Sequence, residues 1–498
     1  MLQRSLGHYE RFSLARHNVG HAPAVVFTAS VLADSFNSRR LVHAIASLLG
    51  AEPLLSSSIA SSRSADPKYT KSSDVRPDQI LAEVEDRNPD TRDALLEGIQ
   101  AMTDLDVEQA PLWRVYVYPV DPETNRRRLS LAIHHVIGDG SAARNLFASL
   151  LSLALSENPT PLDKVTSFPP SLEDTVDVRP PKLYLVRTLF SLFVAPRLPS
   201  FLRPKAPSPF WPNPAVVSPT RQSTDLRVFS FPSKELSLAL STVSKSPDHR
   251  VETVHPVLVT AAVFAIKICL LRRRRQGRDA HVSHPPRVVS QSPVSLRSPS
   301  LGHASSCTGN YVCSISLDHS QDEPTEADVE RRKFWDEARE YARHIKLDSS
   351  LADAKAGMGM LAYLSPGVVD ERDERGNVQT GWEKFLLDEM GKPSRECWSG
   401  GSFEVSNLGR MKDLTGVAPD AVEGVCWAQP GSAKGVGLGF NTVSHGGIFS
   451  CSVTWRQGSI DEGTVDDVFK LHEALLLRVA NGEVDEDATL GDLSNLLP

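Results

Sequence analysis

The stretch from Arg127 to Leu151 constrains the fold of this chain more than any other part of the sequence. An apolar run from Leu129 to Ile133 predicts a buried strand, which ends in two adjacent histidines, His134 and His135. A short turn follows, whose residues are Val136, Ile137, Gly138, Asp139 and Gly140. The sequence from Ser141 onward has the apolar spacing of a helix. A strand that passes through a glycine turn into a helix predicts a layered α/β unit, and such junctions often carry catalytic residues.

The two histidines are expected to do different things. Neighbouring side chains on a strand point to opposite faces of a sheet, so only one imidazole can face a cavity. Two ligands of one metal ion must converge, and we therefore expect no metal site here. One histidine remains available as a base near neutral pH, while Asp139 is better placed to brace the turn. The alternative interpretation is a buried structural histidine pair beside an ordinary turn.

The residues from His134 to Gly140 resemble the HHxxxDG signature of a large acyltransferase superfamily. It includes chloramphenicol acetyltransferase, plant acyl-CoA-dependent acyltransferases and the condensation domains of nonribosomal peptide synthetases. The resemblance implies an α/β (α+β) fold of two chloramphenicol-acetyltransferase-like subdomains. Each would be a mixed β-sheet flanked by helices, with the active-site tunnel between the two.

Weaker motifs later in the chain agree with this resemblance. Arg287 to Arg297 predicts a strand that leaves into a turn, and its end is similar to a family stretch in which an arginine pairs with the motif aspartate; Arg297 is the matching position. Gly309-Asn310-Tyr311-Val312 looks like a family strand start, and Phe403 to Gly409, with Ser406 and Asn407, resembles a family strand and turn. Together with the opening residues, these motifs most resemble fungal alcohol acetyltransferase-like proteins.

The resemblance implies a role for each of these residues. His135 would be the general base, and Asp139, held by Arg297, would keep the turn in shape together with Gly140. His134 would support the site indirectly, through its packing. Donors for the tetrahedral oxyanion would come from the backbone of the Gly138–Gly140 turn or from the region of Ser406 and Asn407, and the sequence does not rank them.

The function implied is transfer of an acyl group from acetyl-CoA or another acyl-CoA to a hydroxyl group of a small molecule, of a secondary-metabolite kind, without a metal. Three alternatives stay open: an N-acyltransferase with an amine acceptor, a condensation-type enzyme that uses carrier-protein thioesters, and an inactive binding member. The acyl chain length and the acceptor are not encoded in any motif.

A proline-rich stretch divides the 498 residues. We expect an N-terminal subdomain over residues 1–162, a crossover over 163–223 and a C-terminal subdomain over 224–498. Within the second subdomain, Thr325 to Lys346 predicts one helix with a T-x-x-D cap. Within the crossover, Leu183 to Ala195 is apolar and is too short to span a bilayer. We expect this segment to pack between the two halves, and a membrane-surface helix is the alternative.

Composition limits the partners of the chain. A net charge of −7 gives no general attraction to nucleic acid. No run of 18 apolar residues occurs, so no membrane-spanning helix is expected. The six cysteines have no CxxC spacing and are typical of reduced thiols in an intracellular protein. We expect a cytoplasmic monomer, or one that is peripheral to an intracellular membrane.

Overall fold

A computed structural model describes residues 2–497 except 22, 86, 110, 200, 203–209, 213–222, 232–233, 248–250, 279–286, 299–305, 321–322, 324, 374–375, 392–400 and 432–434. In these ranges the strands are β1 (Gln3–Ser5), β2 (Ala24–Leu32), β3 (Ser57–Ala60), β4 (Lys68–Lys71), β5 (Leu81–Glu83), β6 (Trp113–Asp121), β7 (Arg126–His134), β8 (Thr224–Phe231), β9 (Val289–Ser295), β10 (Val312–Asp318), β11 (Val368–Arg372), β12 (Val378–Thr380), β13 (Gly401–Arg410), β14 (Val422–Ala428), β15 (Val436–His445) and β16 (Ile448–Arg456). The helices are α1 (His8–Asn18), α2 (Ser38–Ala51), α3 (Thr91–Thr103), α4 (Gly140–Leu155), α5 (Leu172–Thr175), α6 (Lys182–Leu189), α7 (Lys234–Ser244), α8 (Val254–Arg275), α9 (Glu326–Arg331), α10 (Phe334–His344), α11 (Asp348–Gly359), α12 (Gly381–Gly391), α13 (Glu462–Ala480) and α14 (Leu490–Leu496).

The N-terminal half is built on a five-stranded mixed sheet in the order β14-β2-β7-β6-β5. Strand β2 is buried on both faces, because Val25 and Phe27 pack into the core that includes α2 and α4 while Ala24 and Val26 pack into the core of α3. Strand β7 pairs antiparallel with both β2 and β6. The predicted strand, turn and helix are therefore present, and they lie in the middle of this sheet.

The C-terminal half is built on a six-stranded mixed sheet in the order β10-β9-β13-β15-β16-β8. Its core is organised around α8, whose apolar residues are buried against α10, α13 and the sheet. By length and composition α8 could cross a membrane, but 89% of its most apolar 18-residue window is buried inside the protein. This helix is therefore the core helix of the C-terminal half.

One strand crosses between the two halves. Strand β14 comes late in the sequence, yet it pairs antiparallel with β2 and forms the edge of the N-terminal sheet, with Val422 opposite Val31 and Ala428 opposite Val26. The boundaries that we draw at residues 162 and 223 stay a prediction, and β14 is a part of the second half that completes the first.

Two of the predicted helices differ from the structure. The prediction of a single helix from Thr325 to Lys346 is wrong, because the region forms two helices, α9 and α10. Between them the chain is extended at Arg332, and Lys333 pairs with Thr489 in an isolated bridge. Packing of Leu183–Ala195 between the halves is also wrong. In α6 no residue is buried, and large apolar side chains on it are open to solvent.

The cysteines of the described ranges, Cys269, Cys307, Cys313, Cys426 and Cys451, are free and buried. Cys397 lies outside the described residues.

Candidate active site

The two motif histidines point away from each other. His134 is fully buried, its Nδ1 accepts a hydrogen bond from the amide of Val136 at 3.1 Å, and its Nε2 lies 3.2 Å from Nδ1 of His17. Because Nδ1 of His134 is an acceptor, its proton sits on Nε2 and is donated to His17. Burial lowers the pKa of His17 to about 4, and it is also the main reason why the pKa of His134 lies well below the usual range. Both rings therefore stay neutral, as expected of a packing pair.

His135 instead lines a cavity between the two halves. Four other predicted site residues line the same cavity: Asp139, Gly140, Ser406 and Asn407. Tyr9, Glu404 and Gln429 line it as well. The ring of Tyr9 stands edge-on to His135, with ring centroids 5.9 Å apart. The structure thus brings the second histidine, the turn and the strand β13 to one place.

Asn310 fixes the tautomer of His135. Its Nδ2 donates to the backbone oxygens of His135 and Val136, at 2.6 and 2.9 Å. Two acceptors at the amide nitrogen leave only one orientation for the side chain, in which Oδ1 lies 3.1 Å from Nδ1 of His135. Nδ1 must therefore carry the proton, and Nε2 keeps its lone pair. Among the described residues no hydrogen-bond partner occupies Nε2.

Burial lowers the pKa of His135, and the charge of Asp139 only partly offsets this effect. The ring is therefore neutral near pH 7, which is the form that can accept a proton. Asn310 belongs to the Gly309–Val312 stretch that resembles a family strand start, but the sequence does not predict its contact with the histidine.

Asp139 is buried and holds the turn. It caps α4, where Oδ1 accepts from the amide of Ala142 at 2.9 Å, and its Oδ2 accepts from the amide of Tyr311 at 2.8 Å. Nη2 of Arg297 lies 3.2 and 3.3 Å from the two carboxylate oxygens, so the contact expected from the sequence is present. Burial alone would raise the pKa of Asp139, but the charge of Arg297 and the two amides outweigh it and lower the pKa.

Gly140 allows β13 to approach the turn. A Cβ atom at this position would lie 2.9 Å from Cδ2 of Leu408, which is closer than a side chain tolerates. The guanidinium of Arg144 on α4 donates to the backbone oxygen of Leu408 at 2.5 Å. The start of α4 is therefore packed directly against the strand that carries Ser406 and Asn407.

Strand β13 presents one face to the core and the other to the cavity. Phe403 and Val405 are buried in the C-terminal core, whereas the alternate residues Glu404 and Ser406 line the cavity. The amide of Gln429 donates to Glu404 at 2.6 Å. Burial raises the pKa of Glu404. Tyr9 and Gln429 were not predicted from the sequence, since they reach the cavity from distant parts of the chain, and Glu404 lies in the stretch from Phe403 to Gly409 without a predicted role.

Asn407 also has a fixed orientation. Its Oδ1 accepts from the amide of Gly409 at 2.8 Å and from the hydroxyl of Thr442 at 3.1 Å. Its Nδ2 is therefore the end of the side chain that remains for a ligand in the cavity. The amide of Asp139, by contrast, already donates to the backbone oxygen of Gly309 at 3.3 Å.

Comparison with known proteins gives three informative relatives, and no protein-family profile matches the sequence. A protein of Fusarium pseudograminearum (strain CS3096) described as "Probable alcohol acetyltransferase FCK4" is 22% identical over 462 residues, which cover 88% of this chain and 86% of that protein. Among solved structures, the TRI3 trichothecene 15-O-acetyltransferase of Fusarium sporotrichioides has a TM-score of 0.58 at 10% identity and covers 96% of this chain and 95% of its own.

The third relative is the epimerization domain from the third module of tyrocidine synthetase B, with a TM-score of 0.58, 14% identity and 98% of both chains covered. The two solved structures share the two-lobed architecture with this chain, and the expected fold of two chloramphenicol-acetyltransferase-like lobes is confirmed.

Proposed function

We propose that this chain, which has the two-lobed fold of the chloramphenicol-acetyltransferase-like superfamily, transfers an acyl group from an acyl-CoA to a hydroxyl group of a small molecule. The observation that carries the proposal is the fixed tautomer of His135, whose Nε2 lone pair is available in the cavity between the lobes. The relatives support the reaction class, since one is described as an alcohol acetyltransferase and another as an O-acetyltransferase. A hydroxyl acceptor is therefore favoured over an amine, and an acyl-CoA donor over a carrier-protein thioester.

The reaction would proceed in one ternary complex. Nε2 of His135 accepts the proton of the acceptor hydroxyl as its oxygen attacks the thioester carbonyl carbon. The tetrahedral intermediate then collapses, the carbon–sulfur bond breaks, and the imidazolium returns the proton to the leaving thiolate of CoA. No acyl-enzyme is needed, because the cavity brings both substrates to one base.

The oxyanion of the tetrahedral intermediate needs a hydrogen-bond donor. Nδ2 of Asn407 is the best candidate among the cavity residues, because its oxygen is already engaged by Gly409 and Thr442. The Ser406 hydroxyl lies on the same strand and also lines the cavity. Of the donors considered from the sequence, the side chain of Asn407 is thus preferred over the amide of Asp139.

The test is a product assay with the purified chain, acetyl-CoA and longer acyl-CoAs, and a panel of alcohols and amines, followed by mass spectrometry. We expect O-acyl esters and free CoA. The variant His135→Ala is expected to lose about 10²–10⁴-fold in kcat/KM with an unchanged circular dichroism spectrum, since it removes the base.

His134→Ala is the matched control, because it removes the neighbouring imidazole that packs on His17. It should lower thermal stability more than it lowers the rate per folded molecule. Retained turnover in His135→Ala, or amide products only, would contradict the proposal.

A further inference from the structure

Exposed apolar side chains are concentrated in one short segment. Of the fourteen large apolar side chains that are exposed in the described part of the chain, seven lie between residues 183 and 202. They are Leu183, Val186, Leu189, Phe190, Val194, Phe201 and Leu202. Scattered apolar residues on a surface need no explanation, but half of them within twenty residues of sequence indicates an interaction site.

The segment is attached to the protein by its less apolar side. In α6 the half-buried residues are Tyr184, Leu185 and Thr188, whereas Leu183 and Val186 are 80% and 63% exposed. Leu183, Val186 and Phe190 follow the spacing i, i+3, i+7 and so share one face. A surface helix normally turns its apolar stripe inward. Here the stripe faces outward.

The charge of this region is opposite to that of the whole chain. The sequence from Pro180 to Thr224 contains six basic residues and no Asp or Glu, in a chain whose net charge is −7. Arg179, which lies just before this stretch, is paired with Asp177 at 2.8 Å and is not counted. The basic residues are Lys182, Arg187, Arg197, Arg203, Lys205 and Arg221, the last three of which lie outside the described residues. Lys182 and Arg187 are on α6 itself and are exposed.

We propose that the outward face of α6, together with Lys182 and Arg187 on the same helix, binds the surface of an anionic phospholipid bilayer. An exposed apolar stripe beside lysine and arginine is the pattern of helices that lie in a membrane interface, with apolar side chains inserted and cations at the headgroups. A second copy of the chain fits this face less well, because a symmetric contact would oppose two like-charged surfaces.

The test uses co-sedimentation of the full chain with vesicles of phosphatidylcholine alone and of phosphatidylcholine mixed with phosphatidylserine. We expect binding to the mixed vesicles, weakened by salt. The variant Leu183→Ser with Val186→Ser should reduce the vesicle partition coefficient about tenfold or more. Lys182→Glu with Arg187→Glu should abolish the preference for phosphatidylserine.

Leu347→Ser with Val368→Ser is the matched control, since these side chains are 51% and 58% exposed elsewhere on the surface. It should bind vesicles like the unaltered chain. All variants change exposed residues, and their melting temperatures should stay within the scatter of the unaltered protein.

Two outcomes would overturn the proposal. One is a chain that binds neither kind of vesicle, or that binds equally well after the change at Leu183 and Val186. The other is a concentration-dependent dimer in sedimentation equilibrium that the same double variant converts to a monomer, without vesicle binding, which would assign the face to a second copy.

Discussion

Replacing Asp139 by asparagine should destabilise the protein far more than a lost helix cap would. The two carboxylate oxygens accept from the amides of Ala142 and Tyr311, and both lie within 3.3 Å of Nη2 of Arg297. The side chains of Asp139 and Arg297 are each only 4% exposed. In asparagine one oxygen becomes an NH2 group, so a donor faces a donor whichever way the amide turns.

The size of the effect follows from these contacts. Removing one partner of a buried ion pair costs about 3–5 kcal/mol, and a buried amide left without an acceptor costs about 1–3 kcal/mol. Because the introduced carboxamide would keep one oxygen, we expect a total loss of about 3–5 kcal/mol in the free energy of unfolding. Urea unfolding followed by tryptophan fluorescence measures it.

Asp90→Asn is the matched control. Asp90 caps α3 by accepting from the amide of Asp93 at 2.8 Å, and it is exposed. Since asparagine caps a helix about as well as aspartate, this variant should change the free energy of unfolding by less than about 1 kcal/mol.

A double-mutant cycle with Arg297→Met isolates the pair. We expect an interaction energy of about 1–3 kcal/mol between positions 139 and 297. If the effects of the two changes add to within about 0.5 kcal/mol, the reasoning is refuted.

The same pair also predicts that the folded protein loses stability at acid pH. Since the pKa of Asp139 is lowered in the folded state, its contribution is present above the pKa of an unfolded aspartate and is lost as the pH falls through the lowered value.

Three further predictions concern the site. Asn310→Ala should lower kcat/KM by about 10–100-fold, because the ring of His135 loses the acceptor that fixes it. The control Asn145→Ala, on the adjacent helix, should not lower it, and equal activity in the two variants would refute the role of Asn310. Gly140→Ala should lower the free energy of unfolding by about 1–3 kcal/mol through its contact with Leu408, as measured by the same unfolding assay. Adding Leu408→Ala should restore part of this loss, and strict additivity of the two changes would speak against the contact. When kcat/KM is followed from low to neutral pH, the midpoint of its acid limb should lie below the usual histidine pKa of about 6.5, because the neutral form is the base and burial lowers the pKa of His135. A midpoint at or above that value would count against His135 as the base.

Local features of the site could be predicted from the sequence. The strand, the glycine turn and the helix from Gly140 are encoded by adjacent residues, so periodicity and turn chemistry were sufficient. The opposite directions of His134 and His135 agree with the alternation expected along a strand, although β7 ends at His134 and His135 begins the turn. The contact of Arg297 with Asp139 came from the family resemblance, not from the residues themselves.

Features that depend on distant parts of the chain could not be predicted. Which end of Asn310 faces His135 is decided by the carbonyls of His135 and Val136, more than 170 residues away in the sequence. The orientation of Asn407 depends in part on the hydroxyl of Thr442 on β15. The helix expected at Thr325–Lys346 is interrupted because residues near the C-terminus pair with Lys333. An apolar period likewise shows that α6 has an apolar face, but not whether anything covers it.

Strand β14 has a consequence for biosynthesis. Without it, β2 would be an edge strand with apolar residues on both faces and unpaired backbone groups along its length, which is a template for aggregation. Its partner is not synthesised until the ribosome has passed Ala428, almost four hundred residues after Leu32. The nascent N-terminal half must therefore wait, for about 20–80 s at 5–20 residues per second, with that edge open. An early-folding intermediate with an unprotected edge is what a chaperone bound to the nascent chain would shield, and expression of residues 1–223 alone should yield insoluble protein.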